Sequence, residues 1–318
     1  MRQKKIAVTG ALGHIGSKLI HGIRPGQYRE IQLIDNLSTQ RFPSLFFLPK
    51  GVPYRFFEED ILTADLEKRF RGVSAVVHLA AISTPEISFD RQAEVERVNF
   101  EGTRRVAEAC AKTGARLLFI STTSIYSGKN EALDENSSGE KIQPHTPYAQ
   151  SKLRGENILS VIARESKLRF TVLRFGTIFG PSLGMRFHAA VNRFCWQACQ
   201  GKPLSVYETA LLQQRPYLDV ADAARAIEWI IGQDLFGGEL YNAVTCNATV
   251  KEVVAMIRKS IPSLKVKRIA SKAMNDYSYT VSSQKIQSLG FRFKGNMEKG
   301  IKDTIQFIGP SSIVSESR

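Results

Sequence analysis

The fold is decided by the stretch Lys5-Ile6-Ala7-Val8-Thr9-Gly10-Ala11-Leu12-Gly13-His14-Ile15-Gly16. Its first five residues predict a strand, and three glycines at spacings of three follow before a helical pattern begins. A tight turn needs the first glycine, a backbone close to a pyrophosphate needs the second, and close helix–sheet packing needs the third. The free N–H groups at the start of the helix attract phosphate. The stretch indicates a dinucleotide-binding βαβ unit, although three glycines also occur in purely structural turns.

Short apolar runs alternate with helical patterns through the first half of the chain. The predicted strands are Lys5–Thr9, Ile31–Asp35, Tyr54–Glu58, Ala75–Ala80, Leu117–Ser121 and Thr171–Arg174, and the predicted helices include Ile15–Ile23, Gln92–Thr113 and Pro147–Lys167. This rhythm predicts an α/β fold, a doubly wound parallel sheet of the Rossmann type. After Gly180-Pro181 it loosens, into a helix over Phe187–Gln200, a strand over Leu204–Tyr207 and further helices over Val220–Ile231 and Val250–Ser260.

We therefore expect a Rossmann domain over residues 1–180 and a smaller C-terminal substrate-binding domain over residues 181–318. Segments near residues 215–245 are expected to return to the first domain. The length of 318 residues fits this division, since single domains usually have 100–200 residues.

Composition excludes several classes of protein. Hydrophobic residues make up 43% and charged residues 23%, so the chain is neither disordered nor fibrous. No apolar run approaches the length of a membrane span, and the N-terminus lacks the apolar core of a signal peptide. The four cysteines form no C-x-x-C pair, which predicts buried thiols, no disulfides and no metal site. We expect a cytoplasmic protein with no membrane contact.

The charge of +14 makes an anionic partner the first functional question. Residues 251–302 carry 12 Lys and Arg against 3 Asp and Glu, a local excess of 12 − 3 = +9. This segment contains no nucleic-acid motif, and its aromatic residues are too sparse to stack bases. A nucleic-acid partner is therefore not expected, and the segment itself is left without a physical account.

Asp35 closes the second predicted strand, 19 residues after Gly16. A carboxylate at this place accepts hydrogen bonds from the two ribose hydroxyls of an adenosine and repels a 2′-phosphate, so NAD is favoured over NADP. Arg41 tempers this preference, because a nearby guanidinium neutralises such a phosphate. Asp60-Ile61 follows the third strand, where it either contacts adenine or lies in a solvated loop.

A catalytic pair is suggested by Tyr148-Ala149-Gln150-Ser151-Lys152, which begins a predicted helix. The spacing of four places Tyr148 and Lys152 on one face. An ammonium about 4 Å from a phenol supplies about 4 kcal/mol at an effective dielectric of about 20, enough to bring the tyrosine pKa near neutrality. The same spacing also occurs by accident on surface helices. A third element, Ser121-Thr122-Thr123-Ser124-Ile125-Tyr126, ends the fifth strand.

In combination these motifs resemble the extended short-chain dehydrogenase/reductases, specifically the NAD-dependent nucleotide-sugar epimerase/dehydratase family. The matching stretches occur in family order over nearly the whole chain: Gly10–Gly16, Asp35–Ser38, His78–Ala81, Asn99 with Gly102-Thr103, Ser121–Tyr126, Tyr148–Lys152, Leu173–Phe175, Arg215–Val220 and Tyr241-Asn242.

The resemblance implies roles for individual residues. Thr122, Tyr148 and Lys152 would form the catalytic triad, with Tyr148 as base and Lys152 on the nicotinamide ribose. The NAD site would be lined by Gly10, Gly13, His14, Ile15, Gly16, Asp35, Asn36, Asp60, Ile61, Ala80 and Asn99, and substrate would meet Thr123, Thr177, Arg186 and Arg215, the last at its diphosphate. Arg174 is expected to be structural, and a backbone-organising role is the alternative for His78 and Asn99.

Positions 123 and 124 discriminate between reactions within this family. Its 4,6-dehydratases carry an Asp-Glu pair here, its decarboxylases a Glu at the second position and its 3,5-epimerase/reductases a Cys there, whereas this chain has Thr123-Ser124. We therefore expect epimerisation of a nucleoside-diphosphate sugar at C4, through a transient 4-keto sugar. Dehydratase, 3,5-epimerase or reductase chemistry is the alternative within the family. A catalytically silent NAD(P)-sensing protein is the alternative of another class.

Two departures from the family concern the substrate. Thr177 stands where relatives have an asparagine, so we expect Arg186 to offset the lost amide by a charge-assisted contact. His188 is interpreted in three ways, as an acid/base for 3,5-epimerisation, as a helix-capping or core-facing side chain, or as an ordinary substrate contact. We also expect a homodimer through Gln92–Thr113 and Pro147–Lys167, although a core face explains apolar positions such as Val95 and Val106 equally.

Overall fold

The computed structural model describes residues 4–83, 85–270 and 278–309 and, within them, all side chains except those of residues 85–87, 129 and 130. The strands are β1 Lys5–Thr9, β2 Glu30–Asp35, β3 Tyr54–Glu58, β4 Ala75–His78, β5 Arg116–Thr122, β6 Lys129–Leu133, β7 Phe170–Phe175, β8 Thr177–Phe179, β9 Leu204–Tyr207, β10 Gln214–Asp219, β11 Glu239–Ala243, β12 Cys246–Thr249, β13 Val266–Ile269 and β14 Ser278–Val281. The α-helices are α1 His14–Gly22, α2 Leu66–Phe70, α3 Pro85–Asp90, α4 Gln92–Val95, α5 Gly102–Thr113, α6 Pro147–Glu165, α7 Ala190–Cys199, α8 Val220–Gln233, α9 Val250–Ser260, α10 Gln284–Ser288 and α11 Met297–Ile308.

A seven-stranded parallel sheet organises the molecule, with the strand order β11-β7-β5-β4-β1-β2-β3. Helices cover both faces, as the sequence rhythm predicts. In β1, Ile6 and Val8 point into the core that α1 and α8 cover, whereas Ala7 points into the core beneath α2, α5 and α6. The predicted α/β doubly wound fold is confirmed.

The carboxyl ends of β1, β4 and β5 meet at one edge of this sheet, because the strands are parallel and in register. Thr9 pairs with His78, and His78 pairs with Phe119. Ligands bind at this edge in open α/β sheets, where the strand order reverses between β1 and β4. The glycine turn after β1 and the hydroxyl residues that end β5 therefore lie on the same side of the sheet.

The second half of the chain divides its residues between this sheet and a smaller layer. Helix α8 packs on α1, and β11 forms the edge of the seven-stranded sheet beside β7. In contrast, α7, α9 and α11 enclose a separate apolar core with Phe194, Tyr217 and Ile257. Strand β10 pairs with β8 and β12, so the smaller layer begins directly beside the end of β7.

Several predicted bounds were wrong. The strand predicted to reach Ala80 ends at His78. The backbone of Leu79 and Ala80 packs against Gly10 of the turn after β1 instead of continuing the strand. The continuous helix expected over Gln92–Thr113 contains a π-helical segment, Glu96–Glu101, in which the buried Asn99 bonds the loop after β4. The helix expected from Phe187 starts only at Ala190.

The basic segment is distributed between the smaller layer and the edge of the seven-stranded sheet, where α10 packs on β11. Strand β13 pairs with β9 and exposes Lys267 and Arg268, while Lys259 and Lys285 form surface ion pairs with Glu298 and Glu239. Part of the segment, residues 271–277, lies outside the described residues. Within the described part of the chain, no helix is long and apolar enough to cross a membrane. The homodimer stays a prediction.

Candidate active site

The turn after β1 requires glycine at two positions. Gly10 has φ +67°, and a Cβ there would lie 2.6 Å from the backbone nitrogen of Ala80. A Cβ on Gly16 would lie 2.4 Å from the carbonyl oxygen of Ala11. Helix α1 follows, with Gly13 as its N-cap and no side-chain cap, so its first N–H groups face outward without a side-chain acceptor. The turn thus combines close backbone approach with an anion-attracting helix end.

The carboxylate of Asp35 fixes the backbone around this turn. Its oxygens accept hydrogen bonds from the backbone N–H groups of Leu12 and Leu37, each at 3.0 Å. Asn36 donates to Asp60 at 3.0 Å, and Asp60 accepts from the backbone of Leu62. The structure therefore brings the three polar residues predicted around the adenosine to one end of β2 and β3.

His78 and Asn99 organise the neighbouring backbone and helices. His78 is fully buried between the hydroxyls of Thr9 and Thr103, and burial lowers its pKa to about 3, so its ring is neutral. The amide of Asn99 bonds the N–H and the carbonyl of Ile82 and also the hydroxyl of Ser151. These contacts correspond to the backbone-organising alternative for both residues.

The other predicted cofactor contacts lie around the same turn. Ala80 faces Gly10, and Ile61 is buried against Gly102 of α5. His14 and Ile15 begin α1, and the His14 ring bonds the carbonyl of Gly180 at 2.8 Å. Burial lowers the pKa of His14 to about 3.

The glycine turn after β1, the N-terminus of α1 and Asp35 together fit a dinucleotide. The space that a Cβ on Gly10 or Gly16 would fill is taken up by backbone, and the open N-terminus of α1 and the carboxylate of Asp35 complement a pyrophosphate and a ribose. Among the described residues, no group of three His, Cys, Asp or Glu side chains is placed to hold a metal ion.

Thr122 and Tyr148 come together where β5 ends and α6 begins. The Thr122 hydroxyl lies near enough to the Tyr148 hydroxyl to lower its pKa, and Thr122 accepts a hydrogen bond from the backbone N–H of Ser124. Thr146 caps α6 by accepting from the backbone of Ala149, which fixes the turn that presents Tyr148. Burial raises the pKa of Tyr148, while the charge of Arg186 and the bond to Thr122 act in the opposite direction.

Lys152 is buried one turn further along α6. Its Nζ donates to the carbonyl oxygen of Ile120 at 2.8 Å and lies 4.7 Å from the ring centroid of Phe119. Burial lowers the pKa of Lys152 to about 7, and the charge of Glu156 raises it. The predicted common face of Tyr148 and Lys152 is present, but the cation that lowers the pKa of Tyr148 here is Arg186.

Arg186 reaches the site from the segment between β8 and α7. Its Nη1 donates to the carbonyl oxygen of Ser83 at 3.1 Å and to the Ser83 hydroxyl. Its charge lowers the pKa values of His14 and Arg41 at the glycine turn, and Tyr148 in turn raises the pKa of Arg186. Ser83 was not predicted, and no pattern in the sequence marked it.

The other residues predicted to contact substrate, Thr123, Thr177 and Arg215, lie in three different environments. Thr123 is buried, and its hydroxyl donates to the carbonyl of Phe175 at 3.3 Å. Thr177 is half-buried in β8, beside Tyr217 of β10, and Arg215 bonds the carbonyl of Gln214 and the side chain of Gln213.

His188 is exposed, and Ala189 is the N-cap of α7, so the capping and core-facing interpretations of His188 were wrong.

A clamp between the two parts of the site was also missed by sequence reasoning. Gly184 donates its N–H to the Ser17 hydroxyl at 3.0 Å, and Ser182 donates its hydroxyl to the carbonyl of His14 at 2.9 Å. A Cβ on Gly184 would lie 2.3 Å from the carbonyl oxygen of Leu12. The segment that carries Arg186 therefore packs directly on the glycine turn.

The fold and this constellation define a short-chain dehydrogenase/reductase: a Rossmann sheet, a glycine turn with an acidic strand end, and Thr122, Tyr148 and Lys152 over the ends of β4 and β5. The model of the NAD dependent epimerase/dehydratase family matches residues 6–243. The chain belongs to that family, and NAD is its cofactor.

Individual relatives support this assignment. An uncharacterized UDP-glucose epimerase of Bacillus subtilis is 30% identical over 261 residues, covering 80% of this chain and 81% of the relative. A trifunctional UDP-glucose 4,6-dehydratase/UDP-4-keto-6-deoxy-D-glucose 3,5-epimerase/UDP-4-keto-L-rhamnose-reductase of Arabidopsis thaliana is 26% identical over 318 residues, and this chain spans about half of its length, 47%. The crystal structure of a Bacillus cereus UDP-glucuronic acid 4-epimerase with UDP-glucuronic acid and NAD aligns with a TM-score of 0.83 at 26% identity, covering 96% of this chain and 98% of that one.

Proposed function

We propose that the protein is an NAD-dependent epimerase that inverts C4 of a UDP-sugar through a transient 4-keto sugar. The observation that carries this proposal is that Thr122 lies beside Tyr148, with Lys152 one turn further along α6 and with hydroxyl residues at positions 123 and 124. Thr123 is tied to a backbone carbonyl, and Ser124 is a small exposed hydroxyl, so neither supplies the extra acid or base that elimination of water needs.

Each residue of the pair has a defined task in this reaction. Tyr148, once deprotonated, takes the proton of the sugar 4-hydroxyl, and Thr122 orients the shared hydrogen bond. Bound NAD supplies the acceptor and donor of hydride at C4. The positive charge of Arg186 opposes the effect of burial on Tyr148, and a protonated Lys152, one turn along α6, would add to this effect. The same pair returns the proton after the sugar has presented its other face.

The position of Arg186 supports an acidic sugar. Tyr148 meets the reacting C4 hydroxyl, and the diphosphate is attached at C1 on the opposite side of the ring. Because Arg186 acts electrostatically on Tyr148, it lies near the place that the reacting end of the sugar would occupy. Its described hydrogen bonds go to Ser83, not to a carboxylate. A C6 carboxylate, which is attached to C5 beside the reacting C4, is the anion that this guanidinium fits, as in the UDP-glucuronic acid of the Bacillus cereus complex.

Exchange of Arg186 for methionine tests this preference. A charge-assisted hydrogen bond contributes about 1.5–3 kcal/mol, so we expect the KM for UDP-glucuronic acid to rise by roughly 10- to 150-fold. The KM for UDP-glucose should change by less than about threefold, which makes the neutral sugar the internal control. Steady-state kinetics on both substrates measure the effect. Equal losses on the two sugars would contradict a contact between Arg186 and the carboxylate.

A substrate panel tests the reaction itself. Purified enzyme is incubated with UDP-glucose, UDP-glucuronic acid, dTDP-glucose and GDP-mannose in D₂O, and the products are identified by NMR. We expect a 4-epimer of a UDP-sugar, no deuterium on ring carbons and no net consumption of NAD. Deuterium at C3 or C5 would instead indicate 3,5-epimerisation, and a 4-keto-6-deoxy product would indicate dehydration. Stoichiometric oxidation of NADH would indicate a reductase, and NAD binding without any turnover a sensor.

A further inference from the structure

A second buried charge lies one turn beyond Lys152. Glu156 is on the same face of α6, at the i, i+4 position, and the two residues are only 6% and 3% exposed. Buried charges are costly unless they are paired and hydrogen-bonded, so two ionisable side chains held beneath the catalytic tyrosine require an explanation.

Glu156 is fixed from two strands of the central sheet. Its Oε1 accepts from the Ser121 hydroxyl of β5 at 2.5 Å and from Nε of Arg174 in β7 at 2.9 Å. Its Oε2 accepts from Nη2 of Arg174 at 2.5 Å. Arg174 also donates to the hydroxyl of Tyr126, which in turn donates to Asn242. The bidentate pair with Arg174 and the bond from Ser121 leave this carboxylate one defined position.

Lys152 has a different environment. Its ammonium bonds a neutral carbonyl, that of Ile120, and packs on the ring of Phe119. The ionisable groups around it are Tyr148 and Glu156 on α6, His78 on β4 and Arg174 on β7. His78 is neutral and Arg174 is a cation, so neither stabilises a neighbouring positive charge. Glu156 is the anion of this group.

We propose that Glu156 is a positioning residue that keeps Lys152 protonated, and that Ser121 and Arg174 hold Glu156 in place for this purpose. The inference rests on the proposed function, in which a charged Lys152 favours the phenolate of Tyr148. Burial lowers the pKa of Lys152 to about 7 even though Glu156 raises it. Without the carboxylate, the pKa of Lys152 would fall further, and less of the ammonium would remain charged at neutral pH.

Three variants separate this role from simple structural support. Glu156→Gln removes the negative charge, Arg174→Met removes the partner that holds it, and Glu156→Gln/Arg174→Met removes both. A purely structural ion pair is broken by either single change, and breaking it destabilises the protein. Only Glu156→Gln and the double variant remove the anion beside Lys152. The double variant leaves no unpaired arginine, so it keeps the test valid if Glu156→Gln does not fold.

The readout is the protonation of Lys152 itself. The apoenzyme is labelled with [ε-¹³C]lysine and titrated by NMR, and the Lys152 resonance is assigned as the one that is missing in Lys152→Met. We expect Glu156→Gln and the double variant to lower the pKa of Lys152 by about one unit or more, while Arg174→Met leaves it unchanged or raises it. An unchanged pKa in Glu156→Gln, or in the double variant if only that folds, would overturn the proposal, as would an equal fall in Arg174→Met.

The pH profile of turnover gives an independent second measurement. Loss of the Lys152 proton should move the high-pH limb of kcat to lower pH in Glu156→Gln by the same amount, and Glu156→Asp, which keeps the charge, should restore part of it. The NMR titration needs no substrate. If no UDP-sugar is turned over, the proposed function fails, whereas the titration still decides the role of Glu156.

Discussion

Replacing Tyr148 with phenylalanine is expected to lower kcat by about 1,000-fold, with little change in thermal stability or NAD affinity. A positioned acid or base contributes 10²–10⁴-fold in enzymes, and the phenol of Tyr148 lies beside Thr122 at the end of β5. The ring, which supplies the packing, stays in place. Turnover of the substrate identified by the panel, measured between pH 6 and 10, is the appropriate assay.

The direction of the pH dependence is also defined. Burial raises the pKa of Tyr148, so the base form becomes available only as the pH rises, and the wild-type rate should increase with pH on its acidic limb. This limb should be absent from the residual activity of Tyr148→Phe. Tyr207→Phe, an exposed tyrosine on β9, is the matched control and should behave as wild type. If Tyr148→Phe kept more than a tenth of the wild-type kcat, Tyr148 would not be the base.

Gly184→Ala is expected to weaken NAD binding by roughly 5- to 150-fold, although Gly184 lies outside the dinucleotide motif. The new Cβ would lie 2.3 Å from the carbonyl oxygen of Leu12, 2.7 Å from that of Gly13 and 2.8 Å from the hydroxyl of Ser44. Two of these atoms are backbone, which cannot rotate away. Overpacking of this kind costs about 1–3 kcal/mol, and relief of the clash requires the glycine turn or the Arg186 segment to move.

Isothermal titration of NAD and a thermal melt measure this effect. Gly232→Ala is the control, because Gly232 lies on an exposed face of α8 with nothing within 4 Å of the added Cβ. That substitution should raise Tm slightly, since alanine is favoured over glycine in a helix. NAD affinity and Tm equal to wild type in Gly184→Ala would show that the clamp has no role in forming the cofactor site.

The features that could be predicted from the sequence are those that depend on a local pattern of residues. Strand β1, the glycine turn and the acidic end of β2 depend on residues that are close together in the chain, and they were located to within one or two residues. The π-helical segment around Asn99 could not be predicted, because Asn99 bonds Ile82 and Ser151, which are 17 and 52 residues away.

The electrostatics of the site were predicted less well for the same reason. The spacing of Tyr148 and Lys152 correctly indicated one face of a helix, but it gave no information on burial or on what the ammonium bonds. Arg186 acts on Tyr148 from a segment 38 residues further along the chain, and Ser83, which holds it, comes from the loop after β4. The i, i+4 relation of Lys152 and Glu156 was visible in the sequence, and the strands that carry Ser121 and Arg174 were predicted, but the contacts of these two residues with Glu156 were not.

Strand β13 gives part of the positive charge a physical reason that needs no ligand. In the described part of the chain it pairs with β9 alone, which leaves one row of its backbone groups available to another strand. Such a row is a template for aggregation, and charged side chains, lysine above all, are the common protection. Lys267 and Arg268 on this strand, and Lys265 just before it, are exposed, so a second copy approaching edge to edge would bring like charges together. We expect this repulsion to oppose edge-to-edge pairing of β13 in concentrated solution.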